Sequence, residues 1–462
     1  MPSAKPGRAG GLIALALAAL AGAAITGRAY WPGLMPWDAV HQYDQALSGT
    51  IGDWHPPSMQ WLWQRLIPLH PGPAPMLLLQ LVLFWGGLLL IAASLWRAGR
   101  RRIAWAVLAC GFQPFDLALI GAVLKDCLMA GLLLVAVGLL AWQGEGRRRA
   151  PALAAGALLL CAATLRFNAF IACLPLLLAL LPARWLAGKR AVIAVLAGTI
   201  ALTAAMPIAN RLIGARHTAV SLSLIIFDLG GITEEAGVDV FPAQLAVADP
   251  VAVNHGCYRP DKWDSYSDWV DPECPLGFTA WNQAVAPTGV NPNLLWVRAV
   301  LAHPLAYARH RIHHFAINTR FLPLPGTIER PVPAAAPNPW GIQVAPNPLF
   351  GTIDRLAIAV AQTPLGWPIV WIALAWSALI AGGGPKTSRL VVPLAASAFL
   401  YGMGYLAFSV ASELRYHVWT GIAAAIATVL VAGDARNLPR QRLLLAYAPT
   451  LAVILAAAAM RL

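Results

Sequence analysis

The stretch MLLLQLVLFWGGLLLIAASLW, residues 76–96, holds no charged side chain. It is as long as the roughly 20 residues a helix needs to cross the hydrocarbon core of a bilayer. Lipid offers no partner to a bare N–H or C=O, so a run like this must satisfy its own backbone as a helix. GLIALALAALAGAAITG (11–27) is a second such run, and others follow to the C-terminus. The whole chain is 59% hydrophobic and only 11% charged, where a soluble domain carries about a quarter. The sequence therefore specifies an all-α polytopic membrane protein. A cleavable signal is the alternative for the first run, but the later spans favour a retained helix.

The net charge of +13 could suggest nucleic acid, yet its distribution points to topology. Basic residues gather in alternate short connections: Lys5 and Arg8; Arg97 with Arg100–Arg102; Arg147–Arg149; Arg184 with Lys189 and Arg190; Lys386 with Arg389; Arg436, Arg440 and Arg442. The intervening connections hold few. Such alternation follows the positive-inside rule and places the arginine clusters in the cytoplasm. About 11 transmembrane helices are expected, near 10–27, 75–96, 103–123, 127–143, 150–165, 169–181, 191–209, 367–382, 389–411, 417–432 and 443–460. The fifth and sixth are short and joined only by Arg166-Phe167-Asn168.

Two connections are large, and both fall on the external side. This divides the chain into an N-terminal transmembrane module (1–209) containing the first external loop (28–74), an extracytoplasmic region (210–366) and C-terminal helices (367–462). Loops on a rigid scaffold commonly carry binding and catalysis. In the second loop Cys257 and Cys274 stand apart from the four cysteines of the apolar spans, and an oxidising compartment would pair them. Residues 293–322 read as an amphipathic helix in the membrane interface, broken near Pro304. Leu294, Val297, Leu301, Leu305 and Ile312 form its apolar stripe, with Arg298, Arg309 and Arg311 off it. The run His310, His313, His314 reads as part of that basic surface rather than as a zinc site, because no cysteine or acid joins it at a ligand spacing.

The first loop contains WDAVHQYDQALSGTIGDWHPP (37–57). Asp44 reads as a solvated acid. Asp38 follows the aromatic YWPGLMPW, a stretch suited to the interface, so partial burial is expected to raise its proton affinity and suit it to general-base work. Lys125-Asp126 opens the fourth span, where ionisable groups are functional candidates by default. The alternative is a snorkelling lysine followed by a helix cap. Arg166 and Arg415 read either as interfacial anchors or as phosphate clamps, since guanidinium pairs bidentately with phosphate. P-loop, GxGxxG and HExxH motifs are absent from the sequence, which leaves a nucleotide-driven pump or zincin without support.

With Asp38, the DWHPP element around His55, Lys125-Asp126, Arg166-Phe167-Asn168 and Glu413-Leu414-Arg415-Tyr416 in this order, the chain resembles the GT-C superfamily of membrane glycosyltransferases. The likeness is to bacterial members related to the aminoarabinose, protein-mannosyl and rhizobial lipopolysaccharide-core transferases. It implies a GT-C-like helical bundle in the bacterial inner membrane, with two large external loops and an active site facing the periplasm or exterior. It further implies transfer of a sugar, with inversion, from a polyprenyl-phosphate donor to a lipid, glycan or protein acceptor. In that scheme Asp38 is the base. Relatives carry a second acid beside the first, whereas Ala39 follows Asp38 here; Asp53 or Asp126 would fill that place through folding. Lys125, Arg166 and Arg415 would bind the donor phosphate, with His55, Asn168 and Tyr416 shaping the pocket. No metal or other cofactor is expected. A transporter or flippase for a lipid-linked sugar or anionic lipid is the alternative, opposed by the scarcity of ionisable residues at mid-depth.

Overall fold

A computed structural model describes residues 6–143, 149–324, 328–384 and 387–461. Lys5, Arg147, Arg148 and Lys386 of the basic clusters lie outside them. The described residues are helical, with isolated backbone bridges and no strands. Seven helices are long and apolar enough to cross a membrane: Ala9–Tyr30, Ala74–Arg97, Lys125–Trp142, Gly188–Ile213, Ser388–Phe408, Leu414–Asn437 and Arg440–Ala459. Arg101–Cys110 and Pro114–Ile120 together make an eighth, bent by 56°. The bend falls where Gly111 ends one half and Pro114, which lacks an N–H, opens the next. Three shorter apolar helices complete the set, Arg149–Ala163, Ala169–Ala179 and Pro368–Ala381. Each expected span falls on one of these, and the chain is an all-α polytopic membrane protein. Pro368–Ala381 ends where Gly382 takes a left-handed conformation.

The chain forms two compact units. One comprises Met1–His217, Thr327–Gly402 and Leu414–Ala458, and the other Thr218–Gly326, Met403–Glu413 and Ala459–Leu462.

In the first unit the loop after the first span is itself helical. Trp37–Ser48 starts at Pro36 and ends at Gly49, whose positive φ suits glycine and whose N–H donates to Gln45 O. Its buried positions Ala39, Val40, Tyr43 and Ala46 follow a helical spacing and turn one face inward. Pro57 precedes the second short helix, Ser58–Leu66. Gly72 clasps the two: its N–H donates to Tyr43 Oη (2.7 Å), and its carbonyl accepts from Trp63 Nε1 (3.0 Å). The returning proline-rich segment runs over this loop, Ala336 N–H donating to Met35 O (2.8 Å) and Trp340 packing on Tyr43 at 4.9 Å.

In the second unit, Ser221–Ala236 packs against Pro292–Ala302 and Pro304–Asn318. Cys257 and Cys274 are disulfide-bonded, as expected.

Candidate active site

Backbone pairing aligns the first loop with the fourth span. Leu34 N–H donates to Gly121 O (3.2 Å), and Val123 N–H donates back to Leu34 O (2.9 Å). Gln80, buried in the second span, then fixes the same turn. Its side chain donates to Ala122 O and accepts from Leu124 N–H, both at 3.0 Å. Gly121 lies against the Tyr30 ring so closely that a Cβ there would sit 2.2 Å from ring carbon Cγ. Four residues past Leu34 comes Asp38, and one past Leu124 comes Lys125.

Their side chains meet. Lys125 Nζ lies 2.7 Å from Asp38 Oδ2, and Arg415, at the start of Leu414–Asn437, reaches the same oxygen at 2.9 Å. The ring of His55 stands over the pair, with Nδ1 3.1 Å from Lys125 Nζ and Nε2 4.0 Å from Asp38 Oδ1. Burial dominates at His55 and, with the neighbouring lysine, pushes its pKa down to about 3. A neutral His55 can accept from the ammonium through Nδ1, which leaves its proton on Nε2, facing the carboxylate.

The outcome at Asp38 reverses the expectation from sequence. Burial does work to raise its proton affinity, but the charges of Arg415 and Lys125 outweigh it. They hold the carboxyl well below its ordinary value of 3.8. The sequence placed an acid near the interface without revealing that two cations would converge on one of its oxygens.

A second ion pair adjoins the first through Lys125-Asp126. Asp126 is fully buried and paired with Arg166. The Arg166 guanidinium carbon sits 4.4 Å from the centre of the Tyr416 ring, and that of Arg415 sits 5.4 Å from it. Both distances suit cation–π attraction. Asn168 is buried at the start of Ala169–Ala179. Asp53 is engaged elsewhere: its carboxylate lies 3.0 Å from His217 Nδ1, and its N–H donates to Arg216 O at 2.9 Å. Each of the three candidate acids thus has partners of its own: Lys125 and Arg415 for Asp38, Arg166 for Asp126 and His217 for Asp53. Among these named side chains, two carboxylates stand against three cations, Lys125, Arg166 and Arg415, with His55 neutral.

The described residues contain no group of three or more His, Cys, Asp or Glu side chains placed to hold a metal ion. The helical histidines differ from expectation. His310, Arg311 and His314 are buried rather than part of a basic surface. Asp228, which the apolar run SLSLIIFDLGG concealed, pairs with Arg311 and accepts from Trp296 Nε1 at 2.7 Å, while His310 Nε2 lies 3.2 Å away. His310 Nδ1 meets Tyr258 Oη at 2.9 Å. Gln80 also escaped the sequence reading, although a lone amide inside so apolar a span is itself a signal.

No family model matches the chain, and no curated protein matches it. Among solved structures, the chain is similar to the crystal structure of ArnT from Cupriavidus metallidurans bound to undecaprenyl phosphate. The match has 13% identity and a TM-score of 0.33, and covers 92% of this chain and 78% of that one.

Proposed function

We propose that this protein is a membrane glycosyltransferase that moves a sugar from a polyprenyl-phosphate carrier to an acceptor hydroxyl at the external face of the membrane. The observation that carries this reading is the convergence of Lys125 and Arg415 on one oxygen of Asp38. A base and two phosphate-binding groups lie together at the ends of apolar spans, within reach of a lipid headgroup. The motif resemblance to GT-C transferases supports the same reading.

Without substrate, Asp38 is a weak base, because both cations stabilise its charge. A donor phosphate offers Lys125 and Arg415 a competing anion, and the three cations at the site favour its entry. As the cations turn to the phosphate, Asp38 loses their stabilisation and its affinity for a proton rises. Asp38 then takes the proton of the acceptor hydroxyl as that oxygen attacks the anomeric carbon from the face opposite the phosphate. The carbon–oxygen bond to the phosphate breaks, and its electron pair stays on the polyprenyl phosphate, held by Lys125 and Arg415. The sugar leaves with inverted configuration. Neutral His55 keeps Lys125 placed, and Asp126 and Tyr416 keep Arg166 beside the phosphate as a further positive charge. The scheme requires no metal, since the two cations supply the charge. The acceptor is a lipid, glycan or protein, and the membrane is a bacterial inner membrane with the site toward the periplasm.

The test presents a panel of polyprenyl-phosphate sugars, with mixed acceptors and chelator, to the wild type, Lys125→Met and Arg415→Met. We expect transfer by the wild type, with each variant slower by about 10²–10³-fold, the loss typical for one donor to a developing anion. Movement of the lipid across the bilayer without sugar transfer would instead establish the flippase reading.

A further inference from the structure

We propose that the outer face of the paired helices Pro292–Ala302 and Pro304–Asn318 seats on an anionic lipid surface. The two helices meet at His303, which precedes Pro304. Along them Leu294, Val297, Leu301, Leu305 and Ile312 are exposed, and the two leucines flanking the break are the most open, at 75% and 74%. A run of large apolar side chains facing outward calls for an occupant.

The chemistry of the occupant follows from charge. Between residues 292 and 318 the sequence has no aspartate or glutamate. Arg298 and Arg309 are exposed beside the leucines, as is His313. Leucines flanked by unopposed cations match the acyl boundary and headgroups of an anionic membrane. A protein surface would have to supply both an apolar groove and acids along the whole length. The chain also carries apolar helices long enough to span a membrane, so a bilayer is always at hand.

The face cannot roll away from this role. On the opposite side Ala299, Ala306, His310, Arg311, His314 and Ile317 are buried. Arg311 pairs with buried Asp228, and its guanidinium donates to Ser409 O at 2.6 Å. Turning the second helix outward would break a buried ion pair, so the leucine stripe is a fixed surface.

The experiment uses the full chain in nanodiscs of phosphatidylcholine, alone or mixed with phosphatidylglycerol. Exposed Cys161 is replaced by alanine, and a bimane label is placed at Leu301→Cys, Leu305→Cys or, as an exposed control, Asp239→Cys. Brominated acyl chains should quench positions 301 and 305 but not 239. Phosphatidylglycerol should strengthen that quenching, with about a fivefold loss of the anionic increment for each of Arg298→Gln and Arg309→Gln. Labels open to aqueous iodide and untouched by bromolipid would overturn the proposal. So would labels shielded from both quenchers, which would place a second copy or another protein on the face. Quenching indifferent to lipid charge and to both arginine variants would equally overturn it, because charge selects the partner.

Discussion

Asp38 carries a tension that only its neighbours reveal: the groups that would bind the donor also suppress the base. Because Asp38 is held well below 3.8 and His55 near 3, neither titrates in the free enzyme between pH 5 and 8. Any acid limb of kcat/KM in that range must then come from the substrate or another group, and a pH–rate profile of His55→Gln should keep the wild-type shape at lower height. The cations themselves are not interchangeable. Arg415 holds Asp38 while lying near the Tyr416 ring, a planar role that lysine lacks. Arg415→Lys should keep the fold, as judged by its melting midpoint, yet lose at least about tenfold in turnover.

At the scale of elements, the site depends on a turn that makes no contact with substrate in the proposed reaction. Gln80 donates to Ala122 O and accepts from Leu124 N–H, directly before Lys125. Gln80→Leu removes both bonds and leaves two buried backbone groups unpaired, at about 1–3 kcal/mol each. It should lower the melting midpoint and turnover together, whereas Lys125→Met should mainly lower turnover. In the other unit, the disulfide closes a separation of 17 residues. Cys257→Ser with Cys274→Ser should cost about 3 kcal/mol on loop entropy, seen as faster proteolysis within 257–274. The spans were legible in the sequence because hydrophobic length is a local property, and every expected span has its helix. The cysteine pair was legible for the same reason. Asp228 with Arg311 was not. Their partnership spans 83 positions in the chain, and Arg311 sits in a segment whose own pattern suggested a basic surface. The Lys125–Asp38–Arg415 cluster was legible as a set of candidates, but its consequence for the charge of Asp38 required their distances.

Across the whole molecule, buried titratable groups set a common dependence on acid. His55, His310 and His314 all have pKa values lowered by burial, two of them to about 3, from an ordinary 6.5. The unfolded chain therefore binds more protons than the folded one once pH falls below about 6.5, and stability declines from there. Asp38 and Asp228 are held below 3.8 by their cations despite burial, so the stability they contribute is present above that value and is lost as pH falls through their folded pKa values. The melting midpoint should thus decline below pH 6.5 and more steeply once the aspartates also take up protons below about 4, and His314→Gln should flatten the first part. In the proposed reaction a carboxylate accepts the proton of a hydroxyl while two cations hold the departing phosphate. The most direct measurement is single-turnover sugar transfer by Asp38→Asn against wild type, on a donor the wild type uses, with binding of polyprenyl phosphate measured on the same samples. Transfer should fall by about 10²–10⁴-fold while phosphate-lipid binding persists or tightens, since Lys125 and Arg415 no longer have a competing carboxylate. Undiminished transfer by Asp38→Asn would remove Asp38 from the role of base.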